Sequence, residues 1–199
     1  MDIENQVTRM IIKDTTSNPA PLGLMGFGMT TVLLNLANAG VFSLTSMVLA
    51  MGIFYGGIAQ VIAGVMEWKK NNMFGAVAFT SFGFFWITLV GIFALPVLGW
   101  GAAVDKNGLT AFFLMWGLFT LVMFVGTLRI NRALQVVFAT LVILFVMLAI
   151  HNASGNVTLG HVTGWEGVLC GASAIYAAAA QIWNEYYGKT MLPLGVVKK

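Results

Sequence analysis

Long runs without a charge constrain this chain more than any motif does. Six stretches, near Pro21–Ala39, Leu44–Met66, Phe74–Val97, Leu109–Leu128, Ala133–His151 and Gly164–Glu185, are almost wholly apolar, and none has Asp, Glu, Lys or Arg at its middle. Each approaches the ~20 residues that an α-helix needs to cross a bilayer. Barrel strands would be about half as long and would alternate in polarity. The breaks are short and polar: "ANAGVFS", "EWKKNN", "GWGAAVDKNG", "RINR" and "HNASGNVTLGHVTG". With 9% of 199 residues charged and 59% hydrophobic, the chain cannot cover a water-facing surface, which takes about a quarter charged residues. The expected fold class is all-α: a polytopic membrane protein whose helices satisfy their own backbone groups.

The cations set a topology. Arg9, Lys13, Lys69, Lys70, Arg129, Arg132, Lys189, Lys198 and Lys199 fall on one side if there are six spans, and only Lys106 falls on the other. The positive-inside rule puts both termini in the cytoplasm of a cell-membrane protein. The expected organisation is a cytoplasmic segment 1–17, a transmembrane domain 18–188 and a cytoplasmic tail 189–199. The first residues are polar and mixed in charge, without a signal-peptide core. A net charge of +3 is too small and dispersed for a nucleic-acid surface.

A threefold pattern runs through the odd-numbered spans. Asn18, Asn72 and Asn131 stand at their starts, and Phe27, Phe82 and Leu141 follow 9 or 10 residues later. At 1.5 Å per residue these side chains lie roughly 15 Å deep, near the middle of the hydrocarbon layer. Three bulky apolar groups at one depth suit a closed pore between three helical hairpins set around an axis. Ordinary helix caps and frequent large residues would leave the same spacing.

The polar residues inside the spans are neutral. Thr30, Thr31, Tyr55, Gln60 and Thr80 are candidates for a pore lining, since Asn and Gln amides are costly to leave unpaired in hydrocarbon. Phe27, Thr31 and Asn35 recur every four residues and share one helix face, which suits either a pore or a helix contact. Glu67, Glu166 and Glu185 lie near span ends, where water reaches them. Asn184 shares a turn with Gln181 and Glu185. His151 and His161 read as interfacial, and Cys170 as a small core residue. Small-xxx-small patterns in "GIFYG" and "GVLCG" suit close helix approach. No metal-ligand spacing, G-x-S-x-G or paired carboxylates appear, so neither an enzyme nor a bound metal or cofactor is expected.

"NPAPLGLMGFGMTT" reads physically as a capped helix start whose prolines occupy the first turn. It also resembles the signature of the acetate uptake transporter family. The likeness continues through "LAMGIFYGGIAQ", "FTSFGFFWITLV", "GLFTLVMFVGTL", "LCGASAIY" and "NEYYGKTMLPLG". The resemblance implies six-helix protomers, each with its own pore, assembled as a homohexamer that moves acetate, and in some members succinate, with protons or as a channel. It implies a constriction at Phe27, Phe82 and Leu141, where relatives carry tyrosine in place of Phe82, and adds Ala174 near the pore. A path without fixed cations favours passage as the neutral acid, the proton riding on the substrate. A channel for small neutral solutes such as urea would look the same.

Overall fold

The computed structural model describes residues 16–197, so the expected 1–17 segment and the last two lysines lie mostly outside the described residues. Six long helices follow one another: α1 Ala20–Asn38, α2 Ser46–Lys69, α3 Met73–Val97, α4 Lys106–Thr127, α5 Arg132–Ser154 and α6 Val157–Tyr187. Their ends are chemically marked. Asn72, Asp105, Asn131 and Asn156 each accept a hydrogen bond at the side chain from the backbone N–H three residues on, using a donor the helix leaves free. At α1 the Asn18 carbonyl accepts from the Ala20 N–H at 3.0 Å, ahead of Pro21 in the first turn.

The first five helices are each long and apolar enough to cross a membrane. The sixth, 31 residues long, does not meet that measure, because Gly and Ala fill it and Glu166, Gln181, Asn184 and Glu185 lower its hydropathy. It nevertheless covers the depth of α1. Asn18 meets Gln181, Gly28 meets Gly171, and Ala39 meets Gly164, so the two helices run antiparallel over the full length of α1.

Its expected start at Gly164 was too late, and the expected 14-residue break is almost entirely helix. Gly155, in the left-handed region at φ 70°, stops α5, and Asn156 begins α6. Hydropathy falls at His151–Gly164 because the residues are polar, while the caps that end helices are only these two.

Glycine sets which helices touch. A Cβ on Gly28 would lie 2.8 Å from the Gly171 carbonyl, and one on Gly171 would lie 2.7 Å from the Gly28 carbonyl. The α1 and α6 backbones are in direct contact there. In the middle of α2 the helix widens to a π turn over Phe54–Ala59, a feature that often marks functional sites. The widening presses the Tyr55 carbonyl against Gly26 of α1, where a Cβ would lie 2.7 Å away. The most extensive packing joins α6 with α1, α2 with α3, and α4 with α5, and α5 with α6 and α1 with α2 also pack closely; α3 and α4 scarcely approach at the backbone. Phe82, Phe85, Phe112, Trp116 and Phe119 hold them apart, with ring centroids 5.1 to 6.3 Å from one another.

The C-terminal segment folds back instead of trailing free. Arg132 N–H donates to the Gly195 carbonyl at 2.9 Å and Val197 N–H to the Ile130 carbonyl at 3.1 Å, and the Tyr176 hydroxyl donates to the Pro193 carbonyl at 2.8 Å. Lys69, Lys70, Arg129, Arg132 and Lys189 lie on the side of the molecule that carries the ends of the described chain, and Lys106 lies on the far side.

Candidate translocation path

Two cavities enter the helix bundle from opposite ends. The larger, about 600 Å³, opens on the terminus side between the starts of α1, α3 and α5 and the end of α6. The smaller, about 220 Å³, opens on the far side. Phe27 and Leu141 line both cavities, and Phe82 walls the larger one from the same level. Phe27 is 4% exposed and Phe82 and Leu141 3%. The Phe27 and Phe82 rings stand 5.9 Å apart, and Phe119 and Phe138 back Phe82 at 5.4 and 6.0 Å. A layer of hydrocarbon therefore separates two spaces that otherwise align.

The three starting asparagines converge on the larger cavity. Asn18 donates to Gln181 Oε1 at 3.0 Å. Asn72 donates to Glu67 Oε2 at 2.7 Å while its own carbonyl caps Gly75. Asn131 caps Leu134 at 2.8 Å. Gln60 is 1% exposed and lines the same cavity, and its Oε1 has no hydrogen-bond partner. In the smaller cavity Thr31 donates to the Phe27 carbonyl at 2.7 Å, and Asn35 donates to the Thr31 carbonyl at 2.9 Å and accepts from Asn38 at 3.1 Å. The helix face expected from the four-residue spacing is thus the face that lines this cavity. Among the described residues, no Lys or Arg lines either space.

A family model described as the GPR1/FUN34/yaaH family matches residues 3–195. The chain belongs to that family. As a member of the GPR1/FUN34/yaaH family it is 56% identical, over 90% of its length and 95% of the other chain, to the succinate-acetate/proton symporter SatP of Escherichia coli K12. It is 47% identical to an uncharacterized protein of Methanothermobacter thermautotrophicus, over 94% of this chain and 95% of that one. The solved structure of the bacterial acetate channel SatP superposes with a TM-score of 0.89 at 56% identity, covering 90% of this chain and 99% of that one. The Escherichia coli relative is named as a symporter, and the solved structure is named as a channel.

Within this family member, four expected lining residues point elsewhere. Thr30 is fully buried between α1 and α2, where its hydroxyl donates to the Met51 carbonyl at 3.5 Å and its side chain fills the space over Gly56. Tyr55 sits in the π turn, on neither cavity. Thr80 packs on Gly64 in a shallow groove on the outer surface of α2 and α3. Ala174 is fully buried in the helix core. Each stands on a face that helix spacing alone does not distinguish from the cavity face. Asn184 does line the larger cavity, but its amide is committed: it accepts from Met191 N–H at 2.6 Å and Leu192 N–H at 3.0 Å and donates to the Leu192 carbonyl at 2.8 Å. It is the buckle that holds the returning tail.

The glutamates correct the sequence reading further. Glu185 is exposed at the cavity rim, as expected of an end-group. Glu67 is only 2% exposed and lines the larger cavity. The signal was the seven-residue step from Gln60, which puts both on one face; the following lysines made the position read as solvated. Glu166 lies well inside α6 because the helix starts earlier than expected, and neither of its carboxylate oxygens has a hydrogen-bond partner.

Proposed function

We propose that this protein carries acetate and related small monocarboxylates, or succinate, across the cell membrane together with protons. The path runs through each protomer, with Phe27, Phe82 and Leu141 as its constriction and Asn18, Thr31, Asn35 and Gln60 among its polar lining. One observation carries the reading: two cavities from opposite ends meet at a single apolar layer, and among the described residues no Lys or Arg lines either one.

Magnitudes favour the neutral acid as the crossing species. Protonating a carboxylate at pH 7, about three units above its usual titration near 4, costs about 4 kcal/mol. Moving the bare anion into an unassisted apolar layer costs tens of kcal/mol by ion solvation. The cheaper route carries one proton with each acid. The terminus side, rich in Lys and Arg, is assigned to the cytoplasm, and homohexamer assembly is supported by the family resemblance.

The test is uptake of radiolabelled acetate into proteoliposomes with a pH dye outside. Uptake with external alkalinisation is expected. Acetate current that follows voltage with no proton movement would reject the neutral-acid route. Cavity walls without Lys or Arg among the described residues also suit a solute such as urea, so labelled urea in the same vesicles is the competing arm; urea flux without acetate flux would replace the proposal.

A further inference from the structure

The constriction and its amides leave one group on the path unused. Glu67 is 2% exposed and borders the larger cavity at the last turns of α2. Its carboxyl lies over the first turn of α3, where Gly75 makes room: a Cβ there would stand 2.8 Å from Glu67 Cγ and Cδ. Oε2 accepts from Asn72 Nδ2 at 2.7 Å. Asn72 has spent its other end on the Gly75 N–H. Oε1 is buried and has no hydrogen-bond partner.

Holding Asn72 requires a single acceptor oxygen, and a glutamine would supply it. The second oxygen is what a structural role leaves unexplained, since a buried acceptor without a donor is costly. An arriving carboxylic acid brings the missing donor in its own hydroxyl. The charged neighbours are few. Lys70, at the end of the same helix, donates to the Thr16 carbonyl at 2.7 Å and attracts the Glu67 carboxylate. From α6, Glu185 lines the same cavity, while α1, α3 and α5 present the neutral Asn18, Asn72 and Asn131.

We propose that Glu67 is the proton-exchange site of the path on the terminus side, a step that rests on the transport reading above. The acid crosses the apolar layer intact. Its O–H bond then breaks, the proton bonds to Glu67 Oε1, and the electron pair stays on the departing carboxylate. Glu67 passes the proton to water at the cavity mouth. In the reverse direction protonated Glu67 hands its proton to an entering acetate ion, so the neutral acid forms inside the cavity.

This changes how flux depends on pH. A path that accepts only acid already neutral in solution loses about tenfold per pH unit above the carboxyl's titration range. A path that protonates the substrate on site loses less. The experiment is counterflow of labelled acetate in proteoliposomes at equal internal and external pH, comparing pH 5 with pH 7. The wild type is expected to lose less than about tenfold between them, and Glu67→Gln, which keeps the bond to Asn72, about a hundredfold. Glu67→Asp, still protonatable, is expected to keep the shallow profile.

An unchanged pH 5 to pH 7 ratio in Glu67→Gln overturns the assignment. So does an equal loss at both pH values shared with Glu67→Ala, which marks a purely structural residue. Wild-type vesicles no better than empty ones would instead sink the transport reading itself.

Discussion

Replacing Phe27 by alanine tests whether the two cavities are halves of one path. Phe27 is the aromatic that borders both, and its ring leans on Phe82 at 5.9 Å between centroids. With the ring gone, the smaller and larger spaces join past Leu141, and water can follow. Crossing the intact layer strips a neutral acid of its hydrogen bonds to water, which costs about 2 to 7 kcal/mol. Recovering only the lower end of that range speeds passage about thirtyfold, at about 1.4 kcal/mol per tenfold. The effect should be greatest for acids too bulky for the closed layer. The ratio of butyrate to acetate uptake in proteoliposomes is therefore expected to rise by about tenfold or more. Phe27→Leu, which keeps the layer apolar, should shift it far less. Loss of the ring also costs stability, about 3 to 5 kcal/mol for a well-packed phenylalanine, and less here because one ring face already borders open space. Thermal unfolding in detergent separates that loss from transport. A folded Phe27→Ala protein with an unchanged butyrate-to-acetate ratio would refute the shared-path reasoning.

Other expectations follow from close contacts. The Asn35 side chain packs directly on Gly167 of α6, so Gly167→Ala should overpack the site and destabilise by about 1 to 3 kcal/mol, read as a lower unfolding temperature. The same packing means that Asn35→Leu, attractive as a way to remove a polar lining group, should disturb helix packing as well as flux; a normal melting temperature would contradict the contact. Asn131→Ala removes the acceptor for the Leu134 N–H and should cost about 0.5 to 2 kcal/mol, again by thermal unfolding. Gly171→Leu should force α1 and α6 apart where their backbones touch and lower the yield of folded protein in membranes.

The family carries this architecture on a chain whose organisation is unusually legible. The apolar runs define the helices because a bilayer-length stretch without charge has one economical structure. The depth of Phe27, Phe82 and Leu141 follows from counting along those helices; Phe27 and Leu141 line both cavities, and Phe82 lines the larger one. The polar residues were harder. Thr31 and Thr30 are adjacent, yet one lines a cavity and the other fills a helix contact. Thr80 and Gln60 are both neutral polar groups in spans, yet only Gln60 faces inward. Their orientation depends on which neighbours the glycines admit and on the π turn in α2, and neither is visible in hydropathy. Glu67 shows the reverse error: a residue beside lysines at a span end is buried by Gly75 of the next helix.

The sequence alone marked the apolar runs that become helices and the separation of the cations between their ends, although it placed the start of α6 at Gly164 and not at Val157, because transfer of apolar and charged groups between water and lipid depends on composition along a single strand of chain. Only the tertiary structure decided which faces turn inward, that the tail returns to Asn131, and that one glutamate is held inside the larger cavity. Those outcomes depend on which surfaces fit at a distance of one atom, a property of pairs of helices that no single helix carries.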